Sequence, residues 1–121
     1  MKLLTIQNAI NNIVNLCQRQ PKPNFLVLCV FPEESSISQF NFLYRIKDLL
    51  HLKIEDFSVH DEKYIKGDNF EIRFITEDHE MDMIEPTHIY VYMGDYYSGV
   101  LDKVNSLYNP PFNHINVFYG D

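Results

Sequence analysis

Tryptophan is absent from this chain of 121 residues, alanine occurs once (Ala9), and there are only four glycines and two cysteines. Each scarcity excludes something. A wrapped triphosphate needs glycines and the pattern G-x-x-x-x-G-K-[ST], whose backbone N–H groups enclose the phosphates, and no such stretch occurs. Cys17 and Cys29, the only cysteines, offer at most one disulfide. In a reducing compartment they read as small buried hydrophobes, and a buried thiol is inert as a nucleophile. Serine catalysis lacks a G-x-S-x-G elbow, for which Ser98-Gly99 is a poor substitute. No unbroken apolar run exceeds the seven residues of Phe25–Phe31, far short of a membrane span. Gln7, Asn8, Asn11 and Asn12 interrupt any signal-peptide core, so a cytoplasmic location is expected. Basic residues are also scarce. Ten Lys and Arg against seventeen Asp and Glu leave a charge of −7, which argues against direct binding to nucleic acid.

What is present is apolar and aromatic: twelve Ile, nine Phe, eight Tyr and eleven Asn in a chain that is 45% hydrophobic. One domain of this size hides roughly 65–70% of its unfolded surface, enough for a core without covalent staples. Residues 1–30 hold Lys2, Arg19 and Lys22 and no acid, a charge of +3; the other seven bases and all seventeen acids leave −10 on residues 31–121. The densest acidic stretch is Glu77, Asp78, Glu80, Asp82 and Glu85, which reads as a solvated loop, an acidic docking surface or a metal site.

Periodicity supplies the elements. Leu3, Ile6, Ile10, Ile13, Val14 and Cys17 repeat at helical spacing, predicting a helix over 3–19 that Pro21 and Pro23 stop. Phe25–Phe31, apolar on both faces, predicts a central strand covered from both sides. Ser35 or Ser36 can cap a helix near 36–51, striped by Ile37, Phe40, Leu43, Tyr44, Ile46, Leu49 and Leu50. Alternation over 54–76 around Gly67-Asp68-Asn69 predicts a β-hairpin pivoting at 66–69, with its second strand at 70–76. Residues 88–93 form a further strand. Tyr97, Val100, Leu101, Val104, Leu107 and Tyr108 mark a helix that Pro110 and Pro111 end, and 114–119 form a last strand. The expected fold is α/β: one three-layer α/β/α sandwich over 1–121, with a mostly parallel sheet, a hairpin and a right-handed crossover at 88–119. The strand 114–119, with few charges to guard it, is expected at a sheet edge, where it would pair two copies into a homodimer.

This order resembles the ATPase core of phage terminase large subunits and related helicase-type P-loop proteins. The matching pieces are 3–19, 25–31, 36–51, 64–76 (with Ile72-Arg73-Phe74), 88–95, 97–108 and 114–119. The resemblance places 3–19 at the helix that follows the phosphate loop, and the Walker B strand at 88–95. Two departures accompany it: the chain starts where that helix would, and Met93-Gly94-Asp95 offers one carboxylate where the family carries Asp-Glu. Without the general base and the triphosphate cradle, the resemblance implies a scaffold reused for something other than ATP hydrolysis.

Two sets of site residues follow. Glu33, Glu34, Ser35 and Ser36 come after one predicted parallel strand and Asp95 after another; together they would meet a ligand or a hard cation such as Mg²⁺ at the carboxyl edge of the sheet. The alternative for Asp95 is a plain helix cap. Glu77, Asp78, Glu80 and Asp82, with Tyr96 and Tyr97, would form a surface for a partner protein, because carboxylates steer a basic partner and Tyr suits interfaces. His79 among those carboxylates, with Glu85 and His88 nearby, has metal-ligand residue types without a recognised spacing. The leading expectation is a non-catalytic protein-binding domain without a cofactor: a phage-encoded inhibitor or accessory factor for a nucleic-acid-processing or defence protein, acting in the host cytoplasm. The alternatives are a degenerate nucleotide/Mg²⁺ binder and a small metal-dependent hydrolase or nuclease built on residues 77–85.

Overall fold

Residues 2–5 open the chain as a strand, not as the first turn of a helix. The structure, a computed structural model, describes residues 2–19, 25–32, 36–51, 54–56, 63–67, 70–76, 84–93, 100–108 and 115–119. Its strands are β1 (Lys2–Thr5), β2 (Phe25–Phe31), β3 (Ile54–Asp56), β4 (Lys63–Lys66), β5 (Phe70–Thr76), β6 (His88–Tyr92) and β7 (Ile115–Tyr119). Its helices are α1 (Ile6–Gln18), α2 (Ser36–Leu50) and α3 (Val100–Leu107). The expected helix over 3–19 is therefore shorter by three residues at its start. Thr5, in extended conformation, ends β1 and caps α1, its hydroxyl accepting from the Asn8 amide at 3.1 Å. Leu3 falls on the helical spacing by coincidence; it belongs to a strand that pairs far away in sequence.

All seven strands form one sheet in the order β1-β7-β6-β2-β5-β4-β3. The five strands from β1 to β5 in that order run parallel, and β4 and β3 add an antiparallel meander. The hairpin is where the turn residues placed it. Gly67 donates its N–H to the Phe70 carbonyl at 3.0 Å, and a Cβ on Gly67 would overlap the Phe70 ring. One expectation is overturned: β7 lies between β1 and β6, not at an edge, because β1 takes the outer place.

The sheet divides two unlike cores. Val27, Cys29, Phe31, Ile72, Phe74, Tyr90, Tyr92 and Phe118 pack with Ile10, Ile13, Val14 and Cys17 of α1 and Phe42, Leu43 and Ile46 of α2. On the other side Leu28, Val30, Ile75, Ile89, Val91 and Ile115 pack with Val104 and Leu101 of α3. Strand alternation produces the split, since consecutive side chains of β2 point to opposite faces. The connections obey one rule. Those running from β1 towards β5 carry α1 and α2 on one face. The return through Ile84 to β6, and then through α3 to β7, uses the other, as a single crossover hand requires.

Candidate functional site

The chain leaves β2 in one direction along the sheet and leaves β6 in the other. These two strands are paired neighbours, with Val30 beside Val91. A reversal of this kind opens a crevice outside the carboxyl ends of the strands, where ligands of open α/β sheets bind. The sequence places Glu33, Glu34, Ser35 and Ser36 just beyond the end of β2, and Asp95 just beyond the end of β6. Glu33, Glu34, Ser35 and Asp95 lie outside the described residues, and Ser36 is described only as the first residue of α2. Their strands end side by side, at Phe31 and Tyr92. Met93 is further tied to β7 by its N–H to the Phe118 carbonyl at 3.0 Å.

Beneath that edge lies an aromatic layer. Register sets Phe118 beside Tyr92, and Phe31 follows Val30, the partner of Val91. The Phe31 ring centroid is 5.5 Å from that of Tyr92 and 5.9 Å from that of Phe118. Phe42 of α2 stacks on Phe118 at 4.7 Å and meets Phe31 edge-on at 5.6 Å. Offset and edge-on pairs of this kind contribute beyond their buried area. On the α3 side the same edge is aliphatic, with Val30, Val91 and Met93. Chemistry at this edge therefore depends on the connections that leave it, since the described side chains below supply bulk and rigidity.

The partner-surface residues Glu77, Asp78, Glu80, Asp82, Tyr96 and Tyr97, together with His79, lie outside the described residues. Their flanks are fixed: the acidic run joins the carboxyl end of β5 at Thr76 to Ile84, which packs into the α3-side core and whose carbonyl accepts from the Tyr108 hydroxyl at 3.0 Å. His88 stands at the amino end of β6, the opposite end of the strand from the crevice. Its Nδ1 is 3.0 Å from the Thr87 hydroxyl, and its ring meets Phe25 edge-on at 6.0 Å. Among the described residues, no group of three or more His, Cys, Asp or Glu could hold a metal ion.

The cysteines are where a hydrophobe would be. Cys17 and Cys29 are free thiols buried in the α1/α2-side core. Burial, aided by the neighbouring Cys17, pushes the Cys29 thiol well above its ordinary value, which suppresses the reactive thiolate. Tyr90 shares that environment: burial, followed by Cys29, pushes its hydroxyl up to about 12, against a hydrogen bond from the Asn12 side chain that lowers it. Sequence reading missed this Asn12–Tyr90 contact. Asn12 looks like one more polar residue on the outer face of α1, and only the packing of α1 on the sheet brings it to the ring.

No helix among the described residues is long and apolar enough to cross a membrane. No family model matches the sequence, and no curated protein matches it. Among solved structures, the chain is similar in fold to the large terminase from a thermophilic bacteriophage, with a TM-score of 0.56 and 7% sequence identity. The similarity covers 95% of this chain and 30% of that one, so the chain spans under a third of the terminase. At that identity the likeness concerns the arrangement of helices and strands alone.

Proposed function

We propose that this chain is a non-catalytic domain that binds another protein, one with a basic surface, and that it is a phage-encoded inhibitor or accessory factor for a nucleic-acid-processing or defence protein. One observation carries the reading. A phosphate loop of the terminase type needs about eight residues between its strand and its helix, whereas β1 passes into α1 at Thr5–Ile6 with none between. One amide of the helix N-terminus that would receive phosphate, that of Asn8, is instead taken by the Thr5 hydroxyl. A terminase-like frame with that junction closed suits recognition better than nucleotide turnover. Glu77, Asp78, Glu80 and Asp82 supply the charge that steers a basic partner, and Tyr96 and Tyr97 the contact area. Affinity capture from host lysate tests this. A single protein recovered at low and moderate salt, and lost when the four acids are changed to Asn and Gln, supports it; recovery of no specific protein overturns it.

A second reading draws on the β2/β6 reversal. Glu33, Glu34, Ser35, Ser36 and Asp95 would bind a Mg²⁺-nucleotide at the crevice, the carboxylates holding the cation. It predicts a thermal shift with a nucleotide and Mg²⁺ that Asp95→Asn abolishes. No shift across a nucleotide panel removes it.

A further inference from the structure

The two edges of the sheet are unlike. β3 ends it with three residues, two of them acidic (Glu55 and Asp56), which is the usual protection of an edge against pairing. β1 ends it with Lys2-Leu3-Leu4-Thr5, which has no acid and no proline; among the described strands it pairs only with β7. Leu4 is turned into the α1/α2-side core, so alternation turns Leu3 to the other face. There Leu3 is 68% exposed, while Tyr119, beside Thr5 in register, is 45% exposed on the same face. An open backbone edge thus borders an uncovered apolar pair.

We infer that β1 pairs antiparallel with β1 of a second copy of this chain, forming a two-fold dimer whose sheet runs continuously through both copies. Register favours a pairing centred on Leu4: Leu3 then stands opposite the partner's Thr5 on the face carrying Tyr119, and no like charges meet. The charge distribution selects this edge and this occupant. β1, β7, β6 and β2 contain no carboxylate, and the acids of the strands sit in β5 and β3. At roughly 4.8 Å per strand these lie about 19 and 29 Å from β1, beyond the Debye length at physiological salt. Joining two copies at β1 keeps the acids of the described strands at opposite tips of the joined sheet. The inference does not depend on the proposed partner.

Sedimentation velocity of the full chain, from low micromolar to several hundred micromolar, tests it. Wild type is expected to shift from monomer to dimer. Leu3→Lys, which places a charge on the edge, is expected to remain monomeric with an unchanged circular dichroism spectrum. Leu3→Thr, which keeps strand propensity, should weaken association about tenfold, because two copies of the contact are lost. Leu49→Lys, at a residue of α2 that is 48% exposed, should dimerise like wild type. A wild-type chain that stays monomeric throughout overturns the inference. So does a dimer unaffected by either change at Leu3, or one abolished by Leu49→Lys.

Discussion

The Thr87 hydroxyl lies 3.0 Å from both the amide nitrogen and the carbonyl oxygen of Leu26, a residue 61 positions earlier. It accepts from the first and donates to the second, while the Thr87 N–H reaches the same carbonyl at 2.9 Å. The pair pins β6 to β2 one residue before their ladder begins with Val27 beside His88. The side-by-side ends of these strands, at Phe31 and Tyr92, depend on that register. Thr87→Val keeps the shape and removes the two hydroxyl bonds to Leu26 and the contact with His88 Nδ1, so urea unfolding should show a loss of about 1–2 kcal/mol. Thr87→Ser should retain most of the stability.

Thr5 holds the junction that argues against a phosphate loop. Thr5→Ala removes the cap of α1 and is expected to cost about 1 kcal/mol, read as a lowered thermal midpoint, whereas Thr5→Ser should be close to neutral. An alanine variant as stable as wild type would mean that the cap hydrogen bond at 3.1 Å contributes little.

Phe118 meets Phe31, Phe42 and Tyr92. Phe118→Ala should therefore cost about 3–5 kcal/mol in denaturant unfolding, a large share of the roughly 5–15 kcal/mol typical of a domain. Leu49→Ala, at an exposed site, should change stability by no more than about 0.5 kcal/mol.

Tyr90 makes stability depend on alkaline pH. Its hydroxyl is raised from the ordinary 10 to about 12 in the folded chain. Between those values the unfolded chain releases the proton and the folded chain keeps it, so stability falls as pH rises. The contribution is complete below pH 10 and lost through pH 12, and amounts to about 2–3 kcal/mol. Denaturant unfolding at about pH 9 and about pH 11.5, on either side of the unfolded value, measures it. Tyr90→Phe should lessen the difference, leaving the part that the raised Cys29 thiol contributes, while costing some stability at neutral pH through the lost Asn12 bond.

The local elements were legible because their signals are local. The turn at Gly67-Asp68-Asn69 marked the hairpin, the two-sided apolar run of Phe25–Phe31 marked a central strand, and helical spacing marked α2 over nearly its observed length. β1 escaped notice because a four-residue strand next to a helix borrows that helix's periodicity: Leu3, Ile6 and Ile10 fit one stripe. Thr5 was the available warning, a residue that prefers the cap position to the helix interior. The place of β7 could not be read, since strand order is decided by pairing between residues about a hundred positions apart, such as Leu4 and Phe118. For the candidate ligand edge, the sequence supplied the residue types, and the β2–β6 pairing supplied the adjacency of the strands they follow.

The alternation in β2 has a genetic corollary. Odd-numbered positions from Val27 to Phe31 serve the ring-filled side, and Leu28 and Val30 serve the side roofed by an eight-residue helix. One codon inserted ahead of Val27 would hand Phe31 to a layer shaped for valine, whereas two would restore the original assignment of faces. Tolerance of insertions in this strand should therefore follow parity, with odd lengths failing where even lengths survive.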